Sequence, residues 1–220
     1  MIYFKLNKKL DYFTYETFRN LRYAGLDFGE EIRSSYPELS ISNYKKYIDE
    51  YYKNHKAEML DVKNPLNEKM SQKTVKFFLA TRRLFGKDYS KQNYTGYLSM
   101  FYCNPRFLDD NSFQIYYKHT EKELMQTVFH EVLHFIFFDY CKNNVSETKK
   151  LDCNSGPLWE LSEIFDVLIL NSNDFQQILP EKNELCYSDL SEKYKIIEKI
   201  WRENLPIKTF ITRSLKKFSE

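Results

Sequence analysis

Two histidines four residues apart, with an acid beside the first, are the residues of this chain best placed to do chemistry. They form His130-Glu131-Val132-Leu133-His134, an H-E-x-x-H sequence. On a helix, side chains at i and i+4 leave the same face one turn apart, so both imidazoles can reach one metal ion. Glu131 lies about 100° round the helix from His130, beside the ligand pair and not within it. A carboxylate there can take a proton from a metal-bound water. The motif uses two of only 4 histidines in the chain, which makes a chance pairing rare.

Two nitrogens are too few for a catalytic zinc ion, which generally takes three protein ligands and leaves a fourth position for water. The extended pattern H-E-x-x-H-x-x-G-x-x-H is excluded, because Phe137 stands at its glycine and Tyr140 at its last histidine. The downstream segment Trp159-Glu160-Leu161-Ser162-Glu163-Ile164-Phe165-Asp166 offers three carboxylates instead. With Glu163 at zero on a helical wheel, Trp159 and Leu170 fall about 40° and 20° to one side and Val167 about 40° to the other. Glu160 and Asp166 lie about 60° away on opposite sides. Glu163 therefore sits in the middle of an apolar stripe, where a carboxylate costs several kcal/mol to bury unless it is paired or coordinated. The expected metal set is His130, His134 and Glu163, with Glu160 in reserve. Asp166 suits a supporting role, accepting the spare ring N–H of one histidine.

These groups need two helices to hold them. Thr120 followed by Glu123 is a capping box, which starts the first helix just before the motif and carries it to about Lys142. The second begins near Leu158, after Gly156-Pro157. Upstream, Tyr97–Cys103 and Ser112–Lys118 read as two strands joined by a long loop with Asp109-Asp110-Asn111 as its turn; alternation in the second run predicts a half-buried strand. Tyr44, Tyr47, Ile48, Tyr51 and Tyr52 predict an amphipathic helix. Another spans about Ser71 to Phe85, burying Val75, Phe78 and Leu79, with Gly86 as its cap. Two more close the chain: Leu190, Tyr194, Ile197 and Trp201 line one, and Ile207, Phe210, Ile211, Ser214, Leu215 and Phe218 the other, with Pro206 between.

This order predicts an α+β fold, mainly helical, with a small antiparallel sheet packed beside the H-E-x-x-H helix. A single domain over 1–220 is expected: a helical part to about 90, a metal-site core over 91–174, and C-terminal helices over 175–220. A net charge of +2 leaves no basic footprint for nucleic acid. The first residues mix Lys5, Lys8 and Lys9 into a short apolar run, unlike a secretory signal, and no run reaches the length of a membrane span. The expectation is a cytoplasmic protein acting without nucleic acid or membrane. Cys103, Cys141, Cys153 and Cys186 form no CxxC pair and read as free thiols.

HEVLH at 130–134 followed by LWELSEIFD at 158–166 resembles the gluzincin branch of the zincin metallopeptidases. With GYLSMFYCNPR at 96–106 and FQIYYKH at 113–119, the chain is similar to uncharacterised bacterial zincin-like proteins labelled as peptidases. The resemblance implies one zinc ion on His130, His134 and Glu163, with Glu131 as general base and proton shuttle for hydrolysis of a peptide or protein. It differs in one detail: the usual supporting Asp comes four residues after the ligand Glu, and here Asp166 follows by three. In zincins the edge strand before the active-site helix pairs with extended substrate, which points to Ser112–Lys118, with His119 at its end. Among the tyrosines, Tyr187 is a candidate for the oxyanion. The alternatives are a non-catalytic zincin-like module that binds metal or a protein partner, and a protease restricted to one cognate protein.

Overall fold

The computed structural model describes residues 1–218. The architecture is α+β and mainly helical, with a four-stranded sheet and a separate antiparallel pair. The described chain divides into two compact units, 1–75 with 90–128 and 76–89 with 129–218.

The first unit holds β1 (Ile2–Leu6), α1 (Lys8–Phe18), the small pair β2 (Arg22–Tyr23) and β3 (Leu26–Asp27), and α2 (Phe28–Ser35). It also holds most of α3 (Tyr44–Phe85), then β4 (Tyr94–Ser99), β5 (Arg106–Phe107) and β6 (Ser112–Tyr116). The sheet order is β1-β4-β6-β5. β1 and β4 are parallel, as are β4 and β6; only β5 and β6 are antiparallel. The expected antiparallel sheet is thus mostly parallel. The Asp109-Asp110-Asn111 turn does close a hairpin, with Asn111 at φ 53, but the partner of β6 in it is β5. The chain leaves β4, passes to the far side of β6 and returns, which leaves β4 and β6 pointing the same way. β1 was not anticipated, although Ile2 and Phe4 are buried while Tyr3 and Lys5 are exposed. The Phe4 ring lies over Gly96 so closely that a Cβ there would meet it at 2.7 Å.

The residues read as two helices, over 44–52 and 71–85, are one 42-residue helix that runs through Pro65. Its buried stripe also differs from the expected one. Val75 and Leu79 are exposed, whereas Leu66, Met70, Phe77, Phe78 and Thr81 are buried. Gly86 ends the helix at φ 69, its N–H bonded to the Arg82 carbonyl at 2.9 Å.

β6 is buried on both faces, polar residues included, because its Gln114 serves an internal carboxylate. Asp11 of α1 is fully buried. Its Oδ1 accepts from Ser99 Oγ at 2.6 Å and Gln114 Nε2 at 2.5 Å, and its Oδ2 from Tyr52 Oη at 2.8 Å and Met100 N at 3.1 Å. One side chain thereby ties α1 to α3, to the end of β4 and to β6. Burial pushes the Asp11 carboxyl up to about 6, against the pull of those four donors.

The second unit is all helix: the end of α3, α4 (Glu121–Asn144) from Phe129 onward, α5 (Gly156–Leu170), the single turn α6 (Asn173–Gln176), α7 (Ser191–Trp201) and α8 (Ile207–Lys216). Aromatic rings fill its centre. Phe77 stacks on Phe129 at 4.5 Å, and Phe165 of α5 meets Phe137 of α4 at 4.8 Å and Phe210 of α8 at 6.1 Å. Of the six residues expected to line α8, Phe210, Ile211, Ser214 and Leu215 are buried, while Ile207 and Phe218 are half-buried. Among the described residues no helix is long and apolar enough to cross a membrane.

The Asp11 hub gives a stability test. Because the folded state holds the Asp11 proton more tightly than the unfolded chain, this residue costs stability as pH rises from about 4 through 6. Asp11→Asn removes that component from urea unfolding curves taken across the interval. Asp11→Ala, which leaves four donors facing a void, lowers unfolding free energy by about 3 kcal/mol at neutral pH.

Candidate metal centre

The helix carrying the histidines begins where the capping box places it. Thr120 N donates to Glu123 Oε2 at 2.8 Å, and Glu123 N donates back to Thr120 Oγ1 at 3.3 Å. α4 then runs unbroken through the motif. From Val128 to Phe138 every residue is buried except His130, whose side chain is a quarter exposed. A helix apolar on all sides is an interior helix, and its histidines are fixed by the packing around them. His134, fully buried, stacks on Phe138 with ring centroids 5.9 Å apart.

α5 follows Gly156, which takes φ 68 just ahead of Pro157. The wheel that set Glu163 in an apolar stripe understates its burial: Leu161 to Leu170 are all buried, round the full circumference. Glu163 is 4 % exposed and Asp166 0 %.

These two helices bring three ligand atoms together. The Nε2 atoms of His130 and His134 are 2.9 Å apart. Glu163 Oε2 lies 3.4 Å from the first and Oε1 3.4 Å from the second. His130, His134 and Glu163 form a group able to hold a metal ion, with ligand atoms all within 4.8 Å of one another. Tetrahedral zinc with bonds of about 2.0–2.1 Å needs ligand atoms roughly 3.3–3.4 Å apart; here each of the two Glu163 oxygens faces a different histidine at that distance, so a single oxygen has to turn toward both. The nitrogen pair is tighter and must open slightly.

Behind the histidines stands Asp166. Its Oδ2 is 3.3 Å from His134 Nδ1 and 3.9 Å from His130 Nδ1. A proton on Nδ1 facing this carboxylate leaves Nε2 with its lone pair toward the other ligands. The sequence left open which histidine Asp166 faces; His134 Nδ1 is the nearer of the two. Glu131 is buried at 4 % exposure, and its charge acts on His130. Burial alone pushes the His130 imidazolium down. The hydrogen bond to Glu163, with the fields of Asp166, Glu163 and Glu131, outweighs it and lifts His130 to about 9.

Glu160 is outside this group, ion-paired with Lys193 at the start of α7. Tyr187 packs edge-on against Trp159, ring centroids 5.0 Å apart. His119 belongs to the first unit, where Nδ1 lies 3.5 Å from Glu123 and the ring packs against Tyr102 and Tyr116. The strand named for substrate, β6, lies inside the sheet between β4 and β5, although β5 pairs only with its first two residues. Cys186, read as a free thiol, is one, and its thiol is raised by burial and then by the carboxylates of Glu163 and Glu131. No spacing rule connects it to the motif.

No family model, curated protein or solved structure matches the chain.

Two outcomes follow for metal binding. His134→Ala and Glu163→Ala sharply weaken uptake of one zinc ion per chain in calorimetric titration, while Glu160→Gln leaves it intact. Because His130 must give up its proton to bind, apparent zinc affinity rises about tenfold per pH unit between about pH 6 and pH 8. Over the same interval the metal-free protein loses stability, since the raised folded-state value makes the His130 contribution full below 6.5 and lost toward 9.

Proposed function

We propose that this chain is a zinc-dependent peptidase of the zincin type, acting on a peptide or protein. The observation that carries the reading is the meeting of His130, His134 and Glu163, with ligand atoms all within 4.8 Å of one another, and a buried carboxylate, Glu131, on the residue next to the first of them. Structural zinc sites are usually closed by four protein ligands, whereas catalytic ones use three.

A zinc ion held there supplies a Lewis acid that polarises the scissile carbonyl and acidifies a water molecule. Glu131 is the proton carrier. Its carboxylate takes a proton from the attacking water as oxygen bonds to the carbonyl carbon, and passes it to the leaving amine nitrogen as the C–N bond breaks. Glu163 neutralises part of the ion's charge. Asp166 fixes the tautomer and ring orientation of His134, so Nε2 need not reorganise during turnover.

Glu131→Gln separates chemistry from binding. It keeps the side-chain shape but cannot accept the proton, so turnover falls by about 10²–10⁴-fold while zinc content stays at that of the parent. Metal analysis beside a peptide-library cleavage assay checks both halves. A parent protein that holds zinc and cleaves nothing in such a library or in a lysate points to the non-catalytic metal-binding or protein-interaction module instead.

A further inference from the structure

The second unit contains a cavity that shares no residue with the metal centre. Its volume is about 330 Å³, and it is lined from the end of α3, the end of α5, α6 and the last residue of α7. Leu84, Ile169, Phe175 and Trp201 give it an apolar lining, with Arg83 and Asp174 beside them. The apolar walls are braced from behind. Phe175 is buried and meets Phe77 with ring centroids 5.7 Å apart, while Trp201 meets Phe210 edge-on at 5.2 Å and Phe165 at 6.4 Å. Arg83 and Asp174 are paired through a single carboxylate oxygen: Arg83 Nε and Nη2 both donate to Asp174 Oδ2, at 3.1 and 3.0 Å. Among the described residues neither side chain bonds to any other group, which leaves Arg83 Nη1 as a donor and Asp174 Oδ1 as an acceptor. Both side chains are more than half exposed, at 61 % and 54 %.

Each feature narrows the ligand. The volume lies at the lower end of the roughly 300–1,000 Å³ of small-molecule sites, which suits one small molecule and not a peptide. The lining calls for an apolar body. Opposite charges side by side disfavour a ligand with one charge, because an anion drawn to Arg83 meets Asp174 and a cation drawn to Asp174 meets Arg83. A zwitterion answers both. Since Arg83 and Asp174 are in contact, its two charges must also be close together, as they are on the α-carbon of an amino acid. We propose that this cavity binds a free α-amino acid with an apolar side chain, such as leucine. Its carboxylate accepts from Arg83 Nη1, its ammonium donates to Asp174 Oδ1, and its side chain lies against Leu84, Ile169, Phe175 and the Trp201 ring. The inference stands independently of the metal reading.

The chain has 2 tryptophans, so the indole N–H signals of the nitrogen-15-labelled protein report on the cavity directly once Trp201→Phe has assigned them. Titration with L-leucine shifts the Trp201 signal to saturation with a Kd of about 1 mM, the scale expected for so small a ligand, and leaves the Trp159 signal in place. Arg83→Gln and Asp174→Asn each weaken binding about tenfold, the loss of one charge-assisted hydrogen bond. Both changes fall on exposed side chains, so the fold survives them. Isocaproate, which is leucine without its amine, and isoamylamine, which is leucine without its carboxylate, bind at least about tenfold more weakly than leucine. No saturable shift of Trp201 up to about 50 mM leucine overturns the proposal, as does a shift confined to Trp159. Isocaproate binding as tightly as leucine overturns it as well, since Asp174 would then read no ammonium. Parent-like affinity in both variants places the ligand elsewhere and has the same consequence.

Discussion

Glu163 and Asp166 put two carboxylates in the interior of the helical unit, against two imidazoles and almost no water. Burying a carboxylate costs several kcal/mol unless a positive charge or strong donors face it. His130 supplies one such charge by holding a proton to about pH 9, and Glu131 adds a further acid alongside. The three side chains could also hold a metal ion, whose charge would answer the same demand. The packing of α4 and α5 is where that demand is met.

The demand explains the character of both helices. α4 from Val128 to Phe138 and α5 from Leu161 to Leu170 are enclosed on all sides, and aromatic rings from α3, α4, α5 and α8 lock them together. Rigid packing fixes the ligand rotamers before any metal arrives, so binding spends little on ordering. The first unit is organised around a different buried charge. Asp11 is neutralised by four hydrogen-bond donors with no cation, and each donor comes from an element distant in sequence. One unit thus builds a carboxylate into a closed network, while the other gathers carboxylates around a place for an ion.

What the sequence made legible was local. The H-E-x-x-H spacing, the Thr120–Glu123 cap, the burial of Glu163, Gly86 at the end of α3 and the apolar face of α8 depend on residues within a few positions of each other. What it hid was nonlocal or compensated. β1 has the two-residue period of a strand, but its partner β4 lies far along the chain, and parallel pairing leaves no turn signature. Gln114 looked solvent-facing until Asp11 gave it an internal partner. The single helix α3 was read as two because nothing local joins them: it continues through Pro65, with buried Leu66 and Met70 on the far side.

X-ray absorption at the zinc edge of the reconstituted protein tests the central claim most directly, because it reads the ligands themselves. The account predicts a nearest shell containing nitrogen and oxygen at about 2.0–2.1 Å, with the outer-shell pattern of two imidazoles that falls to one in His134→Ala at whatever occupancy remains. A bound zinc ion with no imidazole pattern, or one whose spectrum is the same in the parent and His134→Ala, would contradict it.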